Sequence, residues 1–197
     1  GNNEKLVSHL KDHALDWASK FQTSTASQLE SWTALQSTIS PQLKYPLPTS
    51  SLSEKDCISI MNPVISTALR KSGIVSTVAT DARHGPLLSG GYGVLSLFHF
   101  QGTARTAALV EHCCRQTPTG MQIHLCIEDL ILEAGYFGLL WQMPFQIYAN
   151  WVSTHSWVFS VCEYNFANDI TLNTDHAKLL PKRTNDKPIM ALVANHF

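Results

Sequence analysis

The sequence predicts a mainly α protein: a helical bundle with a second, small helical subdomain and at most a short β element. Three observations lead there. Apolar residues recur at steps of three and four through most of the chain, the period of a helix with one buried stripe. Ser-x-x-Glu tetrads precede two of these runs, the spacing of a helix-capping box. The best strand signal is one five-residue stretch, Asp169–Asn173, and it is weak. The 197 residues, 44% hydrophobic and 15% charged, can bury one sizeable core or two small ones.

In chain order, Leu6, Leu10, Ala14, Trp17 and Phe21 draw one stripe along a first helix, with Lys5, Lys11, Asp12, Asp16 and Lys20 on its other sides. Ser27-x-x-Glu30 caps a second helix carrying Leu29, Trp32, Leu35 and Ile39, which Pro41 is expected to stop. Ser51-x-x-Glu54 caps a third, with Cys57, Met61, Val64, Ile65, Ala68 and Leu69 facing inward as far as Gly73 and a kink expected at Pro63. These three helices make residues 1–73 a small bundle.

Residues 74–173 read as a second helical subdomain. It opens with an exposed loop containing Asp81, Arg83, His84, Gly85 and Pro86, followed by Gly90-Gly91-Tyr92-Gly93. That tetrad lacks the spacing of a dinucleotide loop and the lysine of a P-loop, so Gly90, Gly91 and Gly93 are assigned to a structural turn. Gly102, Ala104, Ala107 and Ala108 suit a closely packed helix. Beyond a break at Pro118–Gly120, Ile123, Cys126, Ile127, Leu130 and Ile131 form the next stripe, ending near Gly135. Pro144 and Phe145 open a helix through Tyr148 and Trp151, and Thr154 is the expected cap of one carrying Trp157, Val158, Val161 and Tyr164. Residues 174–197 form a polar tail expected to order only against a partner or in a longer chain.

The balance of 14 Lys+Arg against 15 Asp+Glu excludes a polycationic chain that captures nucleic acid by bulk charge. Five cysteines, unevenly spaced, do not read as a secreted disulfide framework, and no apolar run reaches membrane-span length. The chain reads as soluble, cytoplasmic or nuclear, with no membrane partner. His112, Cys113, Cys114, His124 and Cys126 are soft ligands without the spacing that aims two of them at one metal. No cofactor, metal site or catalytic residue is therefore assigned. Trp17, Trp32, Trp151 and Trp157 lie in apolar stripes and are expected in the core.

Three blocks carry a family resemblance. The first is KDHALDWASKF, SQLESWTAL and PQLKYPLP followed by SLSEKDCISIMNPVISTALRKSGI; the second is GPLLSGGYGVLSLFHFQGTARTAALVEHC. The third is Glu133-x-Gly135 with Pro144-Phe145, Ser156-Trp157 and the final NDKPIM. Their order resembles the region after the polymerase palm in reverse transcriptase-like proteins of eukaryotic non-LTR-type retroelements. Gly90, Gly91, Gly93 and Gln101 match that pattern, and Tyr92 stands where leucine is usual.

The resemblance implies a thumb or connection module that grips a primer–template duplex, RNA or an RNA–DNA hybrid, beside a polymerase site in the remainder of a larger polyprotein. The palm's YxDD-type aspartates are missing, so polymerase catalysis by this chain alone is not expected. Lys11, Lys20, Arg70, Lys71, Arg83, His84 and Arg105 are the candidate phosphate contacts under this reading. The alternative is a helical protein–protein interaction domain exapted from a retroelement, docking through exposed apolar positions such as Tyr45, Leu47, Phe137 and Trp141. A Cys/His enzyme, which needs a thiol of lowered pKa, ranks last.

Overall fold

The computed structural model describes residues 3–75, 77–113, 115–135, 140–153 and 156–172. Among them the chain is helical throughout its regular parts, with no strand. It separates into two compact units, residues 1–104 and 105–197. That boundary lies later than the one expected at 73/74, because Val94 and Leu97 belong to the core of the first unit.

In the first unit, α1 (Asn3–Thr23) packs along α4 (Glu54–Lys71). Leu10 and Ala14 of α1 meet Ile60, Met61, Val64, Ala68 and Leu69 of α4 in one core. Each large aliphatic side chain fully withdrawn from water there contributes about 1.5–3 kcal/mol. Between these helices, α2 (Gln28–Ala34) starts on a complete capping box, as its sequence predicts. Ser27 accepts from the Glu30 N–H, and Glu30 accepts from the Ser27 N–H. The Ser27 N–H and hydroxyl both donate to the Glu30 carboxylate and, the main-chain bond foremost, hold it below its usual pKa. Leu29 is exposed rather than part of the stripe, and Ser31 takes the buried position.

The chain does not stop at Pro41. After α2 it widens into one π-helical turn, Leu35–Ile39, and continues as α3 (Ser40–Lys44) with Pro41 in the first turn. Proline has no N–H and crowds the preceding turn, and the wider turn takes up the mismatch. The Ser40 N–H and hydroxyl both donate to the Leu35 carbonyl, the latter at 2.7 Å. Leu35, Ile39 and Leu43 thereby stay on the buried side across the proline. The cap of α4 is Ser53, which accepts from the Asp56 N–H at 3.2 Å, and not Ser51. Pro63 lies inside α4, which runs on to Lys71. Gly73 then ends it with φ 75°. The Ile74 N–H bonds Leu69 O at 2.9 Å, the Schellman arrangement that lets Ile74 fold back on the core.

α6 (Leu97–His112) begins in the first unit, where Gln101 is buried at 2% exposure. Its amide pairs with both main-chain groups of Leu52: Oε1 accepts from the N–H and Nε2 donates to the carbonyl, each at 3.0 Å. Oε1 also lies 3.1 Å from the Ser50 hydroxyl. Gln101 therefore ties α6 to the segment between α3 and α4.

The second unit contains α7 (Pro118–Ala134), α8 (Phe145–Ala149) and α9 (Trp157–Ala167). Pro118–Gly120 is not a break but the first turn of α7. Thr117 caps it by accepting from the Gly120 N–H at 3.1 Å, and Pro118 sits where no N–H is needed. Ile123, Ile127, Leu130 and Ala134 join Leu109, Leu140, Tyr148, Val158, Phe159 and Val161 in a second core. Ser156 caps α9 at 3.1 Å, and Thr154, the expected cap, lies outside the described residues. No strand forms at 169–172. Asp169 takes φ 54°, and the Ile170 N–H returns to Asn165 O at 2.8 Å. That stretch is the Schellman end of α9, and Asn173 lies outside the described residues, as does the tail.

Candidate functional site

The loop around GGYG is a latch built from main chain. The glycine segment donates three main-chain hydrogen bonds to α5 (Thr80–His84) and the residue that caps it: Tyr92 N–H to Ala82 O at 2.8 Å, Gly93 N–H to Gly85 O at 2.8 Å, and Val94 N–H to Arg83 O at 3.0 Å. Gly90 and Gly93 hold φ of 80° and 62°. Gly91 lies so close to Gly85 that a Cβ on it would stand 2.2 Å from the Gly85 carbonyl oxygen. All three glycines thus serve the turn. Arg83 and His84 lie inside it. Arg83 Nη2 donates to Val78 O at 3.1 Å, and His84 Nδ1 contacts Val94 O at 2.7 Å, a pairing that requires its N–H.

The other candidate cations lie in different surroundings. Lys20 pairs with Asp16 one turn back at 2.6 Å, both exposed. Lys71 donates to the carbonyl and, at 3.1 Å, the hydroxyl of Ser24, with its ammonium 5.5 Å from the Phe21 ring centre. Lys11 lines a shallow hollow with Asn3, Glu4, Val7, Ser8 and Asp56, and Arg70 is exposed on α4. Arg105 is interior, at 3% exposure. Its Nη2 donates to Trp157 O at 2.9 Å and its guanidinium stacks 5.4 Å from the Trp157 ring. Burial lowers its pKa to about 10, opposed by the Glu163 charge. It cannot reach a phosphate from there.

Three of the thiols, Cys57, Cys126 and Cys162, are not activated. Burial pushes Cys57 up to about 12, with Asp56 and Glu54 adding to the rise. Burial also raises Cys126, and it raises Cys162 to about 11 against the hydrogen bond from Tyr148. Nucleophilic or ligating cysteines need the opposite shift. Among the described residues no three His, Cys, Asp or Glu side chains come together to hold a metal ion, and Cys114 lies outside them. No helix of the described residues is long and apolar enough to cross a membrane.

An apolar face does stand out, on α7. Its core side carries Ile123, Ile127, Leu130 and Ala134. At about 100° per residue, Met121, Leu125 and Leu132 fall together on the opposite side, and they are 63%, 59% and 43% exposed. Glu128 lies in line between Leu125 and Leu132, with Asp129 and Glu133 along one edge. α7 carries no lysine or arginine. Met121, Leu125 and Leu132 were legible in the sequence as a second stripe at steps of four and seven, hidden by the stronger inward stripe. Of the apolar positions expected to dock a partner, Tyr45 is 87% exposed, Leu47 is buried in the first core and Trp141 is packed against the second. Phe137 lies outside the described residues. Trp151, expected in the core, is exposed.

No protein-family model matches this chain, and neither curated proteins nor solved structures provide a match.

Proposed function

We propose that this chain is a helical protein-interaction module, of retroelement descent by the resemblance above, whose docking face is the outer stripe of α7. The carrying observation is that α7 is apolar on both sides, with Met121, Leu125 and Leu132 exposed opposite a complete core face. A surface helix with one stripe already buried has no folding reason for a second. Met121 suits such a face because its unbranched, polarisable side chain adapts to a partner's contour.

The duplex-gripping reading rests on a continuous basic stripe. Of its seven candidates, Arg105 is interior, Lys71, Arg83 and His84 are engaged within the fold, Lys20 is exposed beside Asp16, and Lys11 and Arg70 show no hydrogen bond or ion pair among the described residues. Titrating a labelled RNA–DNA hybrid at low salt separates the two readings: saturable, salt-sensitive binding weakened by Arg70→Glu would favour the grip.

The interaction reading is tested by panning a displayed library of amphipathic helices on the native chain. The counter-selection uses the Met121→Gln, Leu125→Gln, Leu132→Gln variant, confirmed as folded by circular dichroism. Clones that bind the native chain and not the variant are expected. An enriched pool that binds both equally, or no enrichment, would overturn it.

A further inference from the structure

The tip of the glycine latch in the first unit carries apolar surface that the fold does not use. Leu87 and Leu88 are 73% and 102% exposed, and neither belongs to the core that Val94 and Leu97 join a few residues later. Single exposed leucines are ordinary on a surface. Two adjacent ones, at the tip of a loop that main-chain hydrogen bonds hold in place, have no folding reason.

We infer that Leu87 and Leu88 form a docking wedge that inserts into a preformed apolar pocket of another protein, a contact separate from the α7 face. The turn holds them in position. The N–H groups of Ser89 and Gly91 both reach Pro86 O at 3.0 Å, and the Gly90 N–H reaches Leu87 O at 3.1 Å, so Leu87–Ser89 closes as one tight helical turn. Neighbouring side chains in such a turn diverge by about 120°, which makes the pair convex rather than flat. Leu87 rests on the bare backbone of Gly93, where a Cβ would lie 3.4 Å from its Cγ. The Tyr92 ring, at the base of the tip, meets Trp32 edge-on at 6.5 Å. A wedge already held in its bound shape loses little conformational freedom on docking.

Area, charge and shape select the occupant. Two leucine side chains expose on the order of a few hundred Å² at most, well below the roughly 800 Å² that each partner of a standard interface buries. Two copies meeting tip to tip therefore gain too little, whereas a concave site surrounds both side chains. Residues 85–104 contain no Asp, Glu, Lys or Arg, so an uncharged, apolar lining is the complement. Arg83, the nearest cation in sequence, donates to Val78 O within the latch, which leaves the tip without the basic flank that draws an apolar segment onto anionic lipid. The hollow that Lys11 lines with Asn3, Glu4, Ser8 and Asp56 is too polar to receive leucines from a second copy.

A synthetic pocket and a displayed one test this. Hydroxypropyl-β-cyclodextrin, an apolar cavity one side chain wide, is titrated into the full chain carrying ¹³C-labelled leucine methyls. Saturable shifts are expected at Leu87 and Leu88, with apparent affinity at least about threefold above that at Leu125, which lies on a helix face. Two displayed libraries of one scaffold are then panned on the native chain, alike except that the pocket is lined by apolar residues in one and by Ser, Asn and Gln in the other. The apolar library should enrich clones that Leu88→Ser weakens at least about tenfold and that Leu88→Met retains. Circular dichroism checks that both variants fold.

Cyclodextrin shifts no stronger at Leu88 than at Leu125 would overturn the wedge. Equal enrichment from both libraries, or clones indifferent to Leu88→Ser, would overturn the apolar pocket. Co-sedimentation with phosphatidylcholine–phosphatidylserine vesicles that Leu88→Ser abolishes would assign the tip to lipid, and dimerisation that it abolishes would assign it to a second copy; either would overturn the inference.

Discussion

Replacing Gln101 with alanine should destabilise the first unit by about 2–4 kcal/mol. The figure follows from what the amide satisfies. Its Oε1 and Nε2 pair the N–H and carbonyl of Leu52, both at 3.0 Å, in a region where Gln101 itself is 2% exposed. A buried polar group left without a partner costs about 1–3 kcal/mol, and the truncation strands two, with some relief if water enters the emptied space. Against a typical native stability of about 5–15 kcal/mol, that is a large loss. Gln101→Leu keeps the volume and strands the same two groups, so it should lose nearly as much; the difference between the variants isolates the cavity. Urea unfolding followed by amide hydrogen exchange suits the question, because Leu52 N–H reports the local clamp while amides in the middle of α4 report the whole unit. Faster exchange at Leu52 and an earlier midpoint for α4 are expected in both variants. A change below about 0.5 kcal/mol, with Leu52 still protected, would refute the clamp.

Gly91→Ala should cost more than Gly90→Ala in thermal melts. The first places a Cβ 2.2 Å from the Gly85 carbonyl oxygen, whereas the second meets open space and bears only the roughly 1–2 kcal/mol of a left-handed φ. Ser27→Ala should lower stability by about 1 kcal/mol in chemical denaturation, since it removes the acceptor for the Glu30 N–H. Cys57 and Cys162, raised to about 12 and 11 from 9.0, are acids whose unfolded forms release their protons first. Their contribution to stability is complete below pH 9 and is lost as pH rises above it. Denaturation midpoints should therefore fall above pH 9, and native-state thiol labelling at pH 8 should spare both residues until denaturant is added. On α7, Leu130→Ala should cost about 2–5 kcal/mol, while Leu125→Gln should change stability by less than about 0.5 kcal/mol, a contrast read directly from paired urea titrations.

Much of the fold was legible because helical periodicity and capping are local signals. The stripes of α1 and α4 and the capping box at Ser27 and Glu30 follow from residues within a few positions of one another. Pro41 was misread because its effect depends on whether the preceding turn can widen. That in turn depends on Ser40 bonding Leu35 and on the core holding Ile39 and Leu43. The stretch at Asp169 looks extended by composition but serves as a helix end, decided by main-chain hydrogen bonds to Asn165 and Phe166. The candidate site was harder. A lysine on a polar face looks the same in sequence whether it meets a ligand or, like Lys71, the end of another helix. Gln101 sat in a quoted motif, yet its partner lies 49 positions away, beyond any local pattern.

The whole-chain charge of −1 averages over two units of opposite sign. Read as one value it argues only against bulk nucleic-acid capture. Divided at Ala104, it resolves into residues 1–104 with a net charge of +1 and residues 105–197 with −2. The acidic share coincides with the unit that carries the exposed apolar stripe of α7, whereas in the first unit Lys71 and Arg83 are engaged in holding its own helices and loops. Under the proposed docking reading, Met121, Leu125 and Leu132 lie exposed on one helix within three turns, which makes α7, rather than the glycine-rich loop that dominates the sequence by eye, the surface to test first.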